Sequence, residues 1–233
     1  MSGPVGQALA RLRADPAASE WCRLPFFADG AGDRIAAEVD RAVAAGIEIA
    51  PSPADIFNAL ALTPFGSVKA VILGQDPYPK RGDAHGLAFS YVGPKNVPQS
   101  LRVILKELCE DLSLPPVLNG DLTGWARQGV LLLNAALTTE IGRPGAHMKL
   151  GWSTLADDVV AALSAERPAV AFLLWGADAR RRATLVDRTK HLVLESGHPS
   201  PLNRARDFPG SRPFSRANQW LASRGLPPVD WRL

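Results

Sequence analysis

Apolar positions along this chain follow two rhythms. Four short runs are apolar at nearly every position: Val68 to Leu73, Val130 to Asn134, Val170 to Trp175 and His191 to Leu194. Continuous runs of that length, bounded by turn residues, read as strands buried on both faces of a parallel sheet. Between them the apolar residues recur three or four positions apart. Ile35, Val39 and Val43 mark a helix over Asp33 to Ala45, and Leu101, Leu105 and Leu108 mark one over Leu101 to Glu110 that Ser100 begins. Leu155, Val159, Val160 and Leu163 mark a third, with further helices over Ala177 to Leu185 and Ser215 to Ser223. Pro51-Ser52-Pro53 breaks the N-terminal helical region, and Ser52 is placed to cap a short helix over Ala54 to Leu60.

Strands alternating with helices at this spacing predict an α/β fold: a central four-stranded, mainly parallel sheet with helices on both faces. Two stretches, Gly82 to Val97 and Thr138 to Leu150, carry turn residues and read as long irregular loops, the first interrupted by Leu87-Ala88-Phe89. No repeat or low-complexity linker divides the chain, so residues 1–233 read as a single α/β/α domain. Residues 1–20 are expected to form a poorly ordered or peripheral segment.

The 46% hydrophobic and 21% charged residues fit a globular chain rather than a disordered one. No run approaches the length needed to span a bilayer, and the N-terminus, with Arg11, Arg13, Asp15 and Glu20, does not read as a secretory signal. Cys22 and Cys109 are too few for a disulfide scaffold or a cysteine metal site, so the chain reads as cytoplasmic. Net charge is only +3, but between Gly176 and Arg216 nine Arg or Lys face four Asp or Glu. That excess either steers a polyanion toward the molecule or solvates a surface.

Each apolar run ends in chemistry. Gly74-Gln75-Asp76-Pro77-Tyr78 follows the first, Asn134 closes the second, and Gly197-His198 follows the last. In open α/β sheets, ligands bind at the C-terminal edge, where these residues would meet. Asp76 either serves a tight turn or holds and polarises a water. Tyr78 is packing or pocket wall; Phe89 is a satellite core residue or a stacking plate for a base. The Asn134 amide is a local cap or a recognition group, able to accept from a ring N–H and donate to a neighbouring carbonyl, as uracil requires. His198, between stiffening prolines, is a loop histidine or a donor to a developing anion. His85, His147 and His191 lack metal-ligand spacing with it, and no G-x-G-x-x-G or P-loop lysine motif is present, so neither metal nor cofactor is expected.

Taken together, GQDPY at 74–78, AHGLAFS at 84–90, LLLNAALT at 131–138, LLWG at 173–176 and HPSPL at 198–202 strongly resemble the family 1 uracil-DNA glycosylases. The resemblance runs from about Trp21 to the C-terminus. It implies removal of uracil from single- or double-stranded DNA by a monomeric, cofactor-free hydrolase, with free uracil and an abasic site as products. It places the water-orienting aspartate at Asp76, the uracil O2 donor at His198, and the thymine-excluding tyrosine at Tyr78. Phe89 falls on the stacking residue, Asn134 on the uracil reader, and Gln75 on a backbone contact to base and water. Leu202 falls on the leucine that enters the vacated base stack, while Gln99, Ser100 and Ser200 fall in phosphate-contacting loops.

Three departures stand out. Pro79 replaces the histidine that usually follows the tyrosine, Gln99 replaces a proline, and Ala177 replaces a serine. They bear on phosphate grip, turnover and binding of a phage-type protein inhibitor rather than on the reaction. Lys80, Arg81, Arg204, Arg206 and Arg212 are the cations expected to supply phosphate attraction instead. A related enzyme directed at thymine would want a small residue in place of Tyr78, and a non-cutting DNA-binding protein would need neither Asp76 nor His198.

Overall fold

The computed structural model of the protein describes residues 3–205 and 207–233. Its first elements are helical: α1 (Pro4–Ala14), α2 (Ser19–Cys22), α3 (Pro25–Ala28) and α4 (Ala31–Ala44). Residues 3–20 are not peripheral, as their sequence was expected to be. Val5, Ala8, Leu9 and Leu12 of α1 are buried, at the spacing of one helical face, and α1 packs on α4. Asp40 of α4 accepts the backbone N–H groups of Val5 and Gly6 at 2.8 and 3.0 Å, satisfying donors that a helix start leaves open.

A two-residue strand, β1 (Ile49–Ala50), follows. The helix expected over 54–60 is divided into a 3-10 turn at Pro53–Asp55 and α5 (Asn58–Leu62), and the Ser52 side chain caps neither. Then come β2 (Ala70–Gly74), α6 (Gln99–Leu112), α7 (Thr123–Ala126), β3 (Val130–Asn134), β4 (Thr139–Glu140) and α8 (Ser153–Glu166). The chain closes with β5 (Ala171–Trp175), α9 (Ala177–Arg181), β6 (Leu192–Ser196) and α10 (Pro213–Ser223). Helix α6 starts one residue before Ser100, with Pro98 at its cap position.

The four apolar runs form one parallel sheet in the order β3-β2-β5-β6. Every residue of β2, β3 and β5 is buried, which explains why those runs show no polar alternation. Helices cover both faces. Trp175 meets Phe214 of α10 on one face, with ring centroids 6.3 Å apart. Phe172, of opposite parity in the strand, meets His191 at 5.6 Å on the other. His191 accepts the Val170 N–H at Nδ1, so its Nε2 carries the proton and donates to the Ser164 carbonyl of α8 at 2.9 Å. One hydrophobic cluster runs from Val5 to Trp231. Apart from the sheet, β1 and β4 pair antiparallel.

Helix α6 also ties down the chain that enters α10. Glu107, 2% exposed, accepts the backbone N–H groups of Gly210 and Arg212 at 2.6 and 2.9 Å. One turn later Asp111, its side chain wholly buried, accepts those of Phe214 and Ser215 at 3.0 and 2.8 Å. The second carboxylate caps the N-terminus of α10, the end where a negative charge is favoured.

Candidate active site

The parallel register sets Gly74 opposite Asn134 at the carboxyl ends of adjacent strands. A Cβ at Gly74 would lie 2.2 Å from the Asn134 side-chain oxygen and 2.9 Å from the Ala88 Cβ. Glycine is needed there because the amide lies across its backbone. Asn134 is 8% exposed, and among the described residues its amide has no hydrogen-bond partner. The amide is not sealed among protein groups but stays open to the cavity, where a ligand can complete its hydrogen bonds. It opens into a cavity of about 170 Å3 that Asp76, Tyr78, Phe89, Ser100 and His198 also line. Typical sites for drug-sized ligands are about 300–1,000 Å3, so this one suits a single small ring.

Asp76 sits just beyond β2 and accepts the Gly145 N–H at 2.7 Å through Oδ2. Burial pushes its carboxyl pKa above the ordinary value, and that hydrogen bond only partly offsets the shift. Gly145 belongs to the loop after β4, and three residues earlier in that loop the Gly142 N–H donates to the Pro79 carbonyl at 2.7 Å. The sequence predicts only an irregular segment over 138–150, and the glycines spaced through this polar stretch are the signal of its close approach to the β2 turn.

The aromatic wall is built by one clamp. Phe89 has a left-handed backbone at φ 63°, uncommon for a bulky residue, and its carbonyl accepts the Tyr78 hydroxyl at 2.8 Å. Burial drives the Tyr78 phenol pKa far upward, so the group stays a donor. The Phe89 ring lies 5.7 Å from Trp175 and 5.8 Å from His198. His85 and Ser90, outside the sequence-derived set, fix this loop: His85 Nε2 lies 2.6 Å from Ser90 Oγ, which accepts the Leu122 N–H at 2.8 Å.

His198 accepts the Ser200 N–H at Nδ1, 3.0 Å away. A backbone N–H can only donate, so the neutral ring carries its proton on Nε2. Burial lowers the His198 pKa below the ordinary histidine value, which favours that neutral donor. Beside it, Gly197 lets the side chains of Asn203 and Asp207 approach closely, since a Cβ there would lie 2.1 Å from each and displace them.

Asp76, Tyr78, Phe89, Asn134, Ser100 and His198 thus converge, and Gln75 lines the same cavity while being exposed to solvent. The outer residues differ in their surroundings. Lys80, Gln99 and Arg204 are exposed, and Leu202 is 88% exposed on the His198 loop. Ser200 turns its hydroxyl inward to accept the Leu202 N–H at 3.2 Å. Arg81 pairs with Glu48 at 2.5 Å, and Arg212 with Asp111 at 3.2 Å. Neither guanidinium is therefore a free cation, a fact that charge counting along the sequence could not reveal. Arg206 lies outside the described residues. Among the described residues no group of three or more His, Cys, Asp or Glu is placed to hold a metal ion.

Fold and site define an α/β protein with a ring-sized cavity at the carboxyl edge of its parallel sheet. A family model described as "Uracil DNA glycosylase superfamily" matches residues 61–222. A uracil-DNA glycosylase of Rhizobium meliloti is 51% identical over 188 residues, 81% of this chain and 78% of that protein. One of Azotobacter vinelandii is 51% identical, over 83% of each chain. The crystal structure of mimivirus uracil-DNA glycosylase superposes with a TM-score of 0.80 at 29% identity, covering 86% of this chain and 81% of that one. A mimivirus variant in complex with UGI gives a TM-score of 0.81 at 29% identity, over 86% and 82%. The chain belongs to the uracil-DNA glycosylase superfamily. No helix among the described residues is long and apolar enough to cross a membrane.

Proposed function

We propose that the protein hydrolyses the N-glycosidic bond of deoxyuridine in DNA, releasing uracil and leaving an abasic site for base excision repair. The observation that carries this reading is the unpartnered amide of Asn134, facing a ring-sized cavity that also receives Asp76 and His198. An amide held there offers one acceptor and two donors. It accepts from uracil N3–H and donates to the adjacent O4, whereas cytosine presents the opposite pattern.

A base inside a duplex cannot expose its glycosidic bond, so the nucleotide is extruded first. Leu202, bare at the tip of its loop, fills the gap. The base stacks on Phe89, and Tyr78 occupies the space that a thymine C5 methyl would need. As the C1′–N1 bond stretches, positive charge gathers on the sugar and negative charge on uracil. Asp76 stabilises the sugar cation and orients the attacking water. His198, neutral and protonated at Nε2, donates to O2 as charge accumulates there. Loss of one such donor costs about 2.7–4 kcal/mol in comparable sites. Gln99, Ser100, Ser200, Lys80 and Arg204 face the phosphates, with Arg81 and Arg212 contributing only after exchanging their carboxylate partners.

In this reading the enzyme acts as a monomer on single- or double-stranded DNA in the cytoplasm, the last in keeping with two cysteines that form no disulfide. The mimivirus relative forms a complex with UGI; whether Pro79 and Ala177 permit the same complex is open to a direct inhibition assay. The reaction itself is tested by incubating the protein with uracil-containing and matched thymine-containing oligonucleotides and measuring free base. Uracil release confined to the first supports the reading; binding without release would make the protein a recognition module instead.

A further inference from the structure

Thr138, His147 and Trp152 form a buried trio that takes no part in the proposed chemistry. All three are 5% exposed or less. The Trp152 indole N–H can only donate, and it reaches Thr138 Oγ1 at 3.0 Å. Thr138 Oγ1 also lies 2.8 Å from His147 Nδ1, and the hydroxyl donates to that nitrogen in the tautomer that carries its proton on Nε2. Thr138 Oγ1 thus joins Trp152 and His147 through two buried hydrogen bonds, and buried bonds of this kind hold their surroundings in place.

The position of the trio in the chain gives it a use. Thr138 lies four residues after Asn134, and Trp152 immediately precedes α8, so the trio closes the neck of the loop 138–152. The crown of that loop presses on the β2 turn at two points, through Gly142 N–H to the Pro79 carbonyl and Gly145 N–H to Asp76 Oδ2, both at 2.7 Å. The Met148 N–H also returns to the Gly145 carbonyl at 3.1 Å, joining the crown directly to His147's neighbour.

We propose that His147 is a positioning residue for Asp76: by accepting the Thr138 hydroxyl it fixes the loop whose Gly145 N–H aims the carboxylate. The inference rests on the reading of Asp76 as the group that orients the water. Removing the acceptor frees the neck, lets the crown shift, and misaims the carboxylate without touching DNA. Misplacement of about 1 Å at a reacting group can cost about 100-fold in rate.

The test is a double-mutant cycle read by single-turnover uracil excision, with duplex affinity and melting temperature measured alongside. His147→Ala is expected to slow excision about 10–100-fold with affinity unchanged, and His147→Asn, which keeps an acceptor near the Nδ1 position, to recover most of the rate. In an Asp76→Asn background His147→Ala should add little further loss, because its effect passes through the carboxylate. Equal slowing in both backgrounds would overturn the proposal, as would failure of His147→Asn to rescue a folded protein. If His147→Ala does not fold, Thr138→Val replaces it in the cycle and His147→Asn must keep the parent rate. An Asp76→Asn enzyme with the parent rate would instead refute the role of Asp76, and would be visible before His147 is considered.

Discussion

The Tyr78 hydroxyl donates to the carbonyl of Phe89 at 2.8 Å, and Phe89 holds a left-handed backbone. Strain of that kind costs about 1–3 kcal/mol and persists only where surrounding contacts enforce it. Tyr78 therefore shapes the cavity twice, by its ring and by its clamp. Tyr78→Phe separates the two: stability should fall by about 1 kcal/mol in urea unfolding, uracil excision should slow, and thymine should still be refused. Tyr78→Ala should release thymine at a low but measurable rate. Complete refusal of thymine by the alanine variant would show that another group closes the space.

Replacing Asn134 by Asp removes the amide's donor and offers a carboxylate whose protonation suits the amino edge of cytosine. The variant is expected to release cytosine from DNA while losing much of its rate on uracil. Base release from paired cytosine and uracil oligonucleotides measures both. Unchanged uracil preference would place recognition elsewhere.

Asp76→Asn should cut single-turnover excision by about 100–10,000-fold and leave duplex affinity nearly unchanged. Stability should move the other way. Because the folded-state pKa of Asp76 lies above 3.8, folding loses stability as pH rises from 3.8 through that raised value. Asparagine carries no charge and can still accept the Gly145 N–H. The variant should thus unfold at a higher temperature than the parent at neutral pH, with the difference vanishing toward pH values below 3.8. A lower melting temperature at neutral pH would contradict this account.

The pH profile follows from two opposite shifts. Asp76 must be ionised and its pKa is raised; His198 must be neutral and its pKa is lowered from 6.5. Both losses therefore fall on the acid side, and kcat/KM should be flat through neutral and mildly alkaline pH. The part of the stability owed to neutral His198 is present above 6.5 and is lost as pH falls through the depressed folded value. His198→Ala should reduce the steepness of the acid limb by one proton. An unchanged limb would remove His198 from the titration.

Lys80 is exposed beside Pro79, whereas Arg81 is paired with Glu48. Each phosphate contact contributes roughly one unit to the slope of log affinity against log salt. Lys80→Ala should lower both affinity and slope by more than Arg81→Ala does, with uracil selectivity retained. Equal slopes for the parent and Lys80→Ala would mean that serine and backbone contacts hold the phosphates alone.

The strands were legible because burial on both faces leaves no polar position in β2 or β5 and only the terminal Asn134 in β3, and the residues at their ends were legible because strand ends define the ligand edge. The burial of α1 is masked by its five exposed residues and by its lying outside the run of family-like motifs, although Val5, Ala8, Leu9 and Leu12 carry the spacing of one helical face. The pair β1 and β4, two residues each, is too short to leave a periodic trace. Arg212 illustrates a different limit: its partner Asp111 stands 101 positions away, and no local pattern announces such a pairing.

Helix α6, fourteen residues and so about 21 Å long, carries Ser100 at one end and the Glu107 and Asp111 anchors near the other. His198 follows the end of β6 by two residues, while Gly210 and Arg212 are held by Glu107 of α6. In the proposed reading, in which Leu202 enters the duplex and Ser100 contacts its backbone, one helix links the two, so loosening the Glu107 anchor is expected to weaken both.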